Sequence, residues 1–272
     1  MQNGKIMNSD AVKECSLSVV IPAYNEEERL PLTLKKVYDY LSKQSMSFEM
    51  IVVDDGSSDR TAAIAEQFFA SRGEGRVIKN DINHGKGFSV RRGVLQSQGQ
   101  YILFSDADLS TPIEEIEKLS QRIADGRCDI AIASRAQRES DVRIAQAWYR
   151  KLMGQIFNIF VQLVAVPGIR DTQCGFKYFR RVAALHSFSQ QRLTGFGFDV
   201  EILYIARKAG YLIQEVPVAW INSPNSRVHI VTDSVRMFFD LGRIRLNDLM
   251  GRYNNQEKHK KLVKQSQTSL RS

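Results

Sequence analysis

Apolar residues fall in short runs through the first half of the chain, at Leu17–Pro22, Met50–Val53, Tyr101–Phe104 and Asp129–Ala133, with Ser18 and Asp129 their only polar members. Runs without polar alternation are the pattern of strands covered on both faces. Between them, apolar positions recur with helical spacing over Glu27–Leu41, Asp59–Ser71, Gly87–Gln96 and Thr111–Ala124. Asp59 and Thr111 stand where N-caps belong, and Pro112 occupies a first helical position. Regular strand–helix alternation predicts an α/β fold, with a Rossmann-like, mostly parallel sheet and helices on both faces. Such sheets bind ligands beyond the carboxyl ends of their strands. The unusual residues sit there: "PAYNE" after the first run, "DDGSSD" after the second and "SDADLS" after the third.

The second half is less regular. Ile144–Val164 reads as a helix with Lys151, Gln155, Asn158 and Gln162 on one stripe. "DTQCGFKYF" reads as a loop feeding a short strand, Asp199–Ala209 as a helix, and Leu212–Trp220 as a strand. Thr232–Met250 is a last amphipathic helix whose polar stripe is Arg236, Asp240, Arg243 and Asn247. No internal repeat interrupts this order. The reading is one domain over 16–250, with a nucleotide-binding half at about 16–135 and an acceptor half at about 136–250. A disordered 1–15 segment and a flexible basic tail at 251–272 flank it.

At 272 residues, 43% hydrophobic and 25% charged, the chain can bury a full core and is not a disordered sequence. A net charge of +8 calls for an anionic partner. Six basic residues from Arg252 onward, against Glu257 alone, concentrate that excess in the tail. These lysines and arginines are not interleaved with aromatics on a reading element, so nucleic acid is not the expected partner. An anionic lipid surface is an alternative to a merely solvated end. The opening "MQNGKIMNSDAVKEC" lacks an apolar centre, and no run is long and apolar enough to span a bilayer. Cys15, Cys128 and Cys174 have no metal-ligand spacing, and the four histidines are scattered. A reduced, cytoplasmic setting is the expectation.

The acids carry the chemistry. Asp106 and Asp108 end an apolar strand one residue apart, and an extended chain points both the same way. Mg²⁺ typically uses one or two carboxylates, keeping waters and substrate phosphates in its shell. By itself, D-x-D could equally be a turn and a cap. Asp54 and Asp55 double the acid at a second strand end, where a carboxylate can accept the N–H of a nucleobase. Tyr24 is suited to line a base. Three acid-bearing loops on one rim are more specific than any one of them.

Together "VVIPAYNEEERL", "IVVDDGSSDRT", "NHGKGFSVRRG", "FSDADLSTP" and "DTQCGFKYF" resemble the family 2 inverting glycosyltransferases, of GT-A type. Within these the chain is most similar to the polyprenyl-phosphate sugar transferases of the dolichyl-phosphate β-glucosyltransferase type, from about Leu17 to Tyr253. The resemblance implies transfer of a hexose, glucose from UDP-glucose, to a polyprenyl or dolichyl phosphate with inversion. It implies Mg²⁺ or Mn²⁺ on Asp106 and Asp108. Pro22, Tyr24, Asn25, Glu26 and Asp54 or Asp55, with Asp55 preferred, would hold the nucleoside. Lys86 and Asp106 would lie near base or diphosphate. Arg135 and Arg150 would meet phosphate, and Asp171 would lie near the anomeric carbon.

A phosphate monoester is largely dianionic at neutral pH and needs no base to deprotonate it. Asp171 is therefore expected to position or to stabilise positive charge. A lipid acceptor implies peripheral residence on the cytoplasmic face of a membrane, through Ile144–Val164, Thr232–Met250 and the basic tail. A homo-oligomer is left open. So are two alternatives: a soluble or polysaccharide acceptor, and a non-catalytic nucleotide-binding scaffold.

Overall fold

The computed structural model describes residues 15–136, 140–142, 158–221 and 230–254. Arg150, His229 and most of the tail and of the first fifteen residues lie outside them. The expected strands form a sheet in the order β3-β2-β1-β4-β7-β5-β8. Its members are β1 (Leu17–Ala23), β2 (Phe48–Asp54), β3 (Gly75–Lys79), β4 (Tyr101–Ser105), β5 (Ile130–Ser134), β7 (Phe176–Arg180) and β8 (Ile213–Pro217). All neighbours run parallel except β7, which pairs antiparallel with both β4 and β5. A separate two-stranded ribbon joins β6 (Asp141–Val142) to β9 (Ala219–Trp220).

Burial explains the apolar runs. Val20, Ile51, Val53, Ile102, Phe104 and Ile130 face one helical layer, where the largest cluster of buried side chains lies. That layer holds α3 (Lys86–Gln96), α6 (Arg181–Gln190), α7 (Phe198–Lys208) and α8 (Ile230–Leu249). Val19, Ile21, Met50, Val52 and Leu103 face the other side. There lie α1 (Leu30–Leu41), α2 (Thr61–Ala70) and α4 (Ile116–Ala124). Each strand therefore has apolar partners above and below, as the runs require. The end of a further helix, α5, is described at 158–164.

Several boundaries differ from the sequence reading. α1 starts at Leu30, not Glu27, because residues 25–27 bond instead to the loop after β2. Thr111 caps nothing; it turns inward toward the Cys174 sulfur at 3.8 Å, and Ile113–Glu115 opens α4 as a 3₁₀ turn. The strand expected over Leu212–Trp220 breaks after Pro217, which ends β8. β3 and α6 were not expected at all. The boundary at 250/251 is also corrected. Tyr253 is buried in the core and its hydroxyl bonds Glu201, so the folded body reaches at least Asn254.

Candidate active site

β1, β2 and β4 deliver their C-terminal loops to one rim, where the strand order reverses between β1 and β4. Beneath α8 that rim opens into a cleft of about 1190 Å³. Pro22, Tyr24, Glu26, Asp55, Lys86, Asp106 and Asp108, all singled out in the sequence, line it together.

Backbone pairing positions the acids. Ala23 stands opposite Asp54 across β1 and β2, so "PAYNE" and "DDGSSD" emerge side by side. The two loops are laced together: the Asn25 and Glu26 amides donate to the Ser57 and Thr61 hydroxyls at 2.8 and 2.7 Å. The Asn25 side-chain oxygen accepts the Ser58 amide at 2.8 Å. Asn25 has φ +53°, a left-handed conformation that asparagine tolerates better than most residues. Its role is thus to shape the loop; neither Asn25 nor Asp54 lines the cleft. Asp54 lies behind it, with one carboxylate oxygen accepting the Ser57 amide. Asp55 accepts from the Asn80 side chain and from the His84 and Gly85 amides at 2.7, 3.0 and 2.8 Å. It thereby pins the "NHGKG" loop that opens α3.

Asp106 lies where β4 ends. Its amide donates to the Gly175 carbonyl at 3.0 Å, and any side chain at Gly175 would collide with its carboxylate. A side chain at position 175 would therefore push the Asp106 carboxylate out of its present place. Lys86 Nζ lies 2.7 Å from Asp106 Oδ1. Partial burial by itself would lower the Lys86 pKa, but the nearby Asp106 and Asp199 carboxylates raise it above the ordinary lysine value. Asp108 faces Arg29 at 4.0 Å, and Arg29 grips Glu26 through two nitrogens. The Ala107 carbonyl between the two acids accepts the Thr33 hydroxyl at 2.6 Å, which anchors the loop to α1. Leu109 follows at φ +46°, a strained turn that re-aims the chain after the acids.

A fully buried ion pair supports this floor. Lys177 on β7 meets Asp199 on α7, and its ammonium also donates to the Cys174 carbonyl at 2.7 Å. Burial pushes the Asp199 carboxyl up, against the pull of Lys177 and Lys86.

Asp171 and Arg135 form a closed unit beside the cleft, outside its lining. Asp171 accepts the Arg135 amide and Nε, both at 2.8 Å, on one oxygen and a second guanidinium nitrogen at 2.7 Å on the other. Burial favours the neutral acid, but the charge and hydrogen bonds of Arg135 overcome it and hold the carboxyl below its ordinary range. The guanidinium also lies over the Trp220 ring at 5.3 Å.

Sequence reasoning missed several lining residues: Arg29, Asn83, Ser89, Arg192 and Thr194. It recorded Arg236, Asp240 and Arg243 only as the polar stripe of a helix. That stripe faces the cleft, but opposite charges three and four residues apart are the ordinary pattern of a solvated helix face, so the sequence carried no signal for it. Burial raises the Asp240 carboxyl above its ordinary value although Arg243 is 3.2 Å away.

Residues 18–188 match the glycosyl transferase family 2 profile. The dolichyl-phosphate beta-glucosyltransferases of Homo sapiens and Dictyostelium discoideum are 38% and 36% identical to the chain. In both cases the match covers 90% of this chain and 79% of the relative. Among solved structures, glucosyl-3-phosphoglycerate synthase from Mycobacterium tuberculosis in complex with Mn²⁺, UDP-glucose and phosphoglyceric acid superposes with a TM-score of 0.64. It covers 85% of this chain and 79% of its own at 18% identity, a likeness of fold. The chain belongs to glycosyl transferase family 2, in the group whose curated members are dolichyl-phosphate beta-glucosyltransferases.

Proposed function

We propose that this chain moves glucose from UDP-glucose to the phosphate of a dolichyl-type polyprenyl phosphate, inverting C1 and releasing UDP. The observation that carries the reading is the rim on which Asp106 and Asp108 face Lys86 and Arg29 at the mouth of the cleft. Acids and cations alternate there as a metal–diphosphate group requires.

The residues fit a divalent cation. Among the described residues no cluster of three or more His, Cys, Asp or Glu could hold a metal by itself. Two carboxylates leave coordination positions to water and phosphate, which suits Mg²⁺ or Mn²⁺. When bound, such an ion offsets the charge of the departing diphosphate. Lys86 can add a cationic hydrogen bond to that leaving group. The relatives, named as dolichyl-phosphate beta-glucosyltransferases, support glucose and dolichyl phosphate, and the Mn²⁺ and UDP-glucose of the synthase support donor and ion.

Asp171 is poorly suited to be a base, since both of its oxygens are occupied by Arg135 and its proton affinity is depressed. A phosphate nucleophile needs none. Asp171 then acts as a positioning residue that orients Arg135, and Arg150 remains a proposed phosphate ligand outside the described residues.

The protein is further proposed to sit peripherally on the cytoplasmic face of a membrane. Among the described residues no helix is long and apolar enough to cross one. Leu163 on α5 and Phe239 and Leu249 on α8 are nonetheless 77%, 70% and 82% exposed. Phe160 and Phe238 pack edge to face, with ring centroids 5.2 Å apart, and join the two helices.

Incubating the chain with UDP- and GDP-sugars, polyprenyl phosphate and Mg²⁺ or Mn²⁺, followed by product mass analysis, tests the reading. UDP-glucose should yield a lipid-phosphate hexose. Chelation, Asp106→Asn or Asp108→Asn should each lower the rate about a hundredfold or more. Transfer to oligosaccharide but not to polyprenyl phosphate would establish a soluble acceptor instead. Nucleotide binding with no transfer would leave the scaffold.

A further inference from the structure

We infer that a second recess, beside the cleft at the C-terminal end of α8, binds the phosphoryl headgroup of an amphiphile. It is lined by Arg192, Leu193, Arg243, Leu246, Asn247 and Arg252 and measures about 330 Å³. Arg192, Leu193 and Arg243 also line the cleft, so the two hollows are contiguous.

Three guanidinium groups and no carboxylate line the recess, so its walls select an anion. Arginine's planar fork matches phosphate better than a lysine's point charge does. A volume of this size suits a headgroup and water but falls at the lower end for drug-sized ligands.

The Arg192 backbone and the Arg252 guanidinium share one support, while Arg243 pairs with Asp240 at 3.2 Å on the cleft side. Glu201 on α7 is fully buried. Its carboxylate accepts the Arg192 and Leu193 amides at 3.0 and 2.8 Å and the Tyr253 hydroxyl at 2.6 Å. Asn247 donates to the Tyr253 hydroxyl and accepts from Arg252 at 2.7 Å. One buried acid thus ties the 192–193 loop, the end of α8 and the turn after it around a single hollow. Burial raises the Glu201 carboxyl, and the bonds from Tyr253 and the two amides oppose that rise.

The outer wall supplies the second half of an amphiphile site. Leu246 lines the recess and is half exposed, and Leu249 and Met250 continue outward as exposed apolar side chains. Phosphate inside and hydrocarbon outside is the polarity of a lipid phosphate. This assignment rests on the proposed lipid acceptor. The phosphate could be the acceptor's monoester or a bilayer phospholipid's headgroup, and the two share the same chemistry here.

Calorimetric titration with farnesyl phosphate, farnesol and inorganic phosphate tests the assignment on the full chain. Farnesyl phosphate should bind the wild type more tightly than either fragment. Arg252→Gln should weaken farnesyl phosphate about tenfold, with Arg252→Lys recovering part of the loss. Arg252 does not line the cleft, so UDP affinity should stay constant. Leu246→Ser, a second variant, should weaken farnesyl phosphate while leaving inorganic phosphate unchanged. Unaltered farnesyl phosphate affinity in folded Arg252→Gln, equal binding of inorganic phosphate, or a parallel loss of UDP would overturn the inference. Flotation with phosphatidylcholine vesicles, with and without phosphatidylglycerol, identifies the source. An Arg252 effect confined to anionic vesicles assigns a bilayer headgroup, and one confined to farnesyl phosphate assigns the acceptor. Wild-type glucose transfer with no Arg252 effect on either ligand defeats this inference alone. Arg252-dependent binding without any transfer defeats the proposed function alone.

Discussion

Lys177 shows how much the floor of the site depends on single side chains. A lysine at 0% exposure opposite an aspartate at 1% is tolerable only while each satisfies the other. Lys177→Met should cost about 3–5 kcal/mol of unfolding free energy in urea, because Asp199 would remain buried and unpaired. The double variant Lys177→Met/Asp199→Leu should recover much of that loss. Asp171 makes a second prediction at this scale. Its folded-state pKa is depressed, so below its ordinary value the unfolded chain takes up the proton first. The stability it contributes is present above that value, about pH 4, and is lost as pH falls through the lower folded value. Asp171→Asn should therefore flatten the acid limb of a stability–pH profile. An unchanged limb would show that Arg135 does not hold this carboxyl ionised.

Elements position the acids by bonding to one another's loops. α1 reaches across to the D-x-D loop through one hydroxyl, that of Thr33 on the Ala107 carbonyl. Thr33→Val keeps the shape of the side chain and deletes the donor. It should cost about 1–3 kcal/mol if the carbonyl is left unsatisfied. It should also raise the Mn²⁺ concentration needed for half-maximal transfer, since the loop carries both acids. A stability loss with no change in Mn²⁺ dependence would separate the anchor from the site. α8 gives the complementary case: Arg236, Asp240 and Arg243 face the cleft, Leu241 and Ile244 pack into the core, and Phe239, Leu246 and Leu249 stay exposed, so one helix serves site, core and surface.

At the scale of the whole molecule, the exposed apolar side chains of α5 and α8 and the basic tail from Lys258 to Arg271 favour an anionic interface. The full chain should co-float with anionic liposomes. Truncation after Asn254 keeps Tyr253 in the core and should reduce flotation, more strongly at low salt where screening is weak. No association of the full chain would remove the membrane from the proposal.

Much was legible beforehand. Doubly covered strands must be apolar throughout, so β1, β2, β4 and β5 announced themselves, and the acids at their ends marked the rim. β3, a short edge strand half exposed along most of its length, and α6, with no distinct apolar stripe, carried too little periodicity to be seen. The order and identity of the site loops were thus determined by local sequence, because strand burial and turn chemistry act over a few residues. Tertiary structure alone decided that β7 enters antiparallel, setting Gly175 against Asp106 and Lys177 beneath the floor. It alone turned Asp171 to Arg135, and the stripe of α8 to the cleft. Those contacts join residues far apart in the chain, and no local pattern specifies which distant partner a charge will meet.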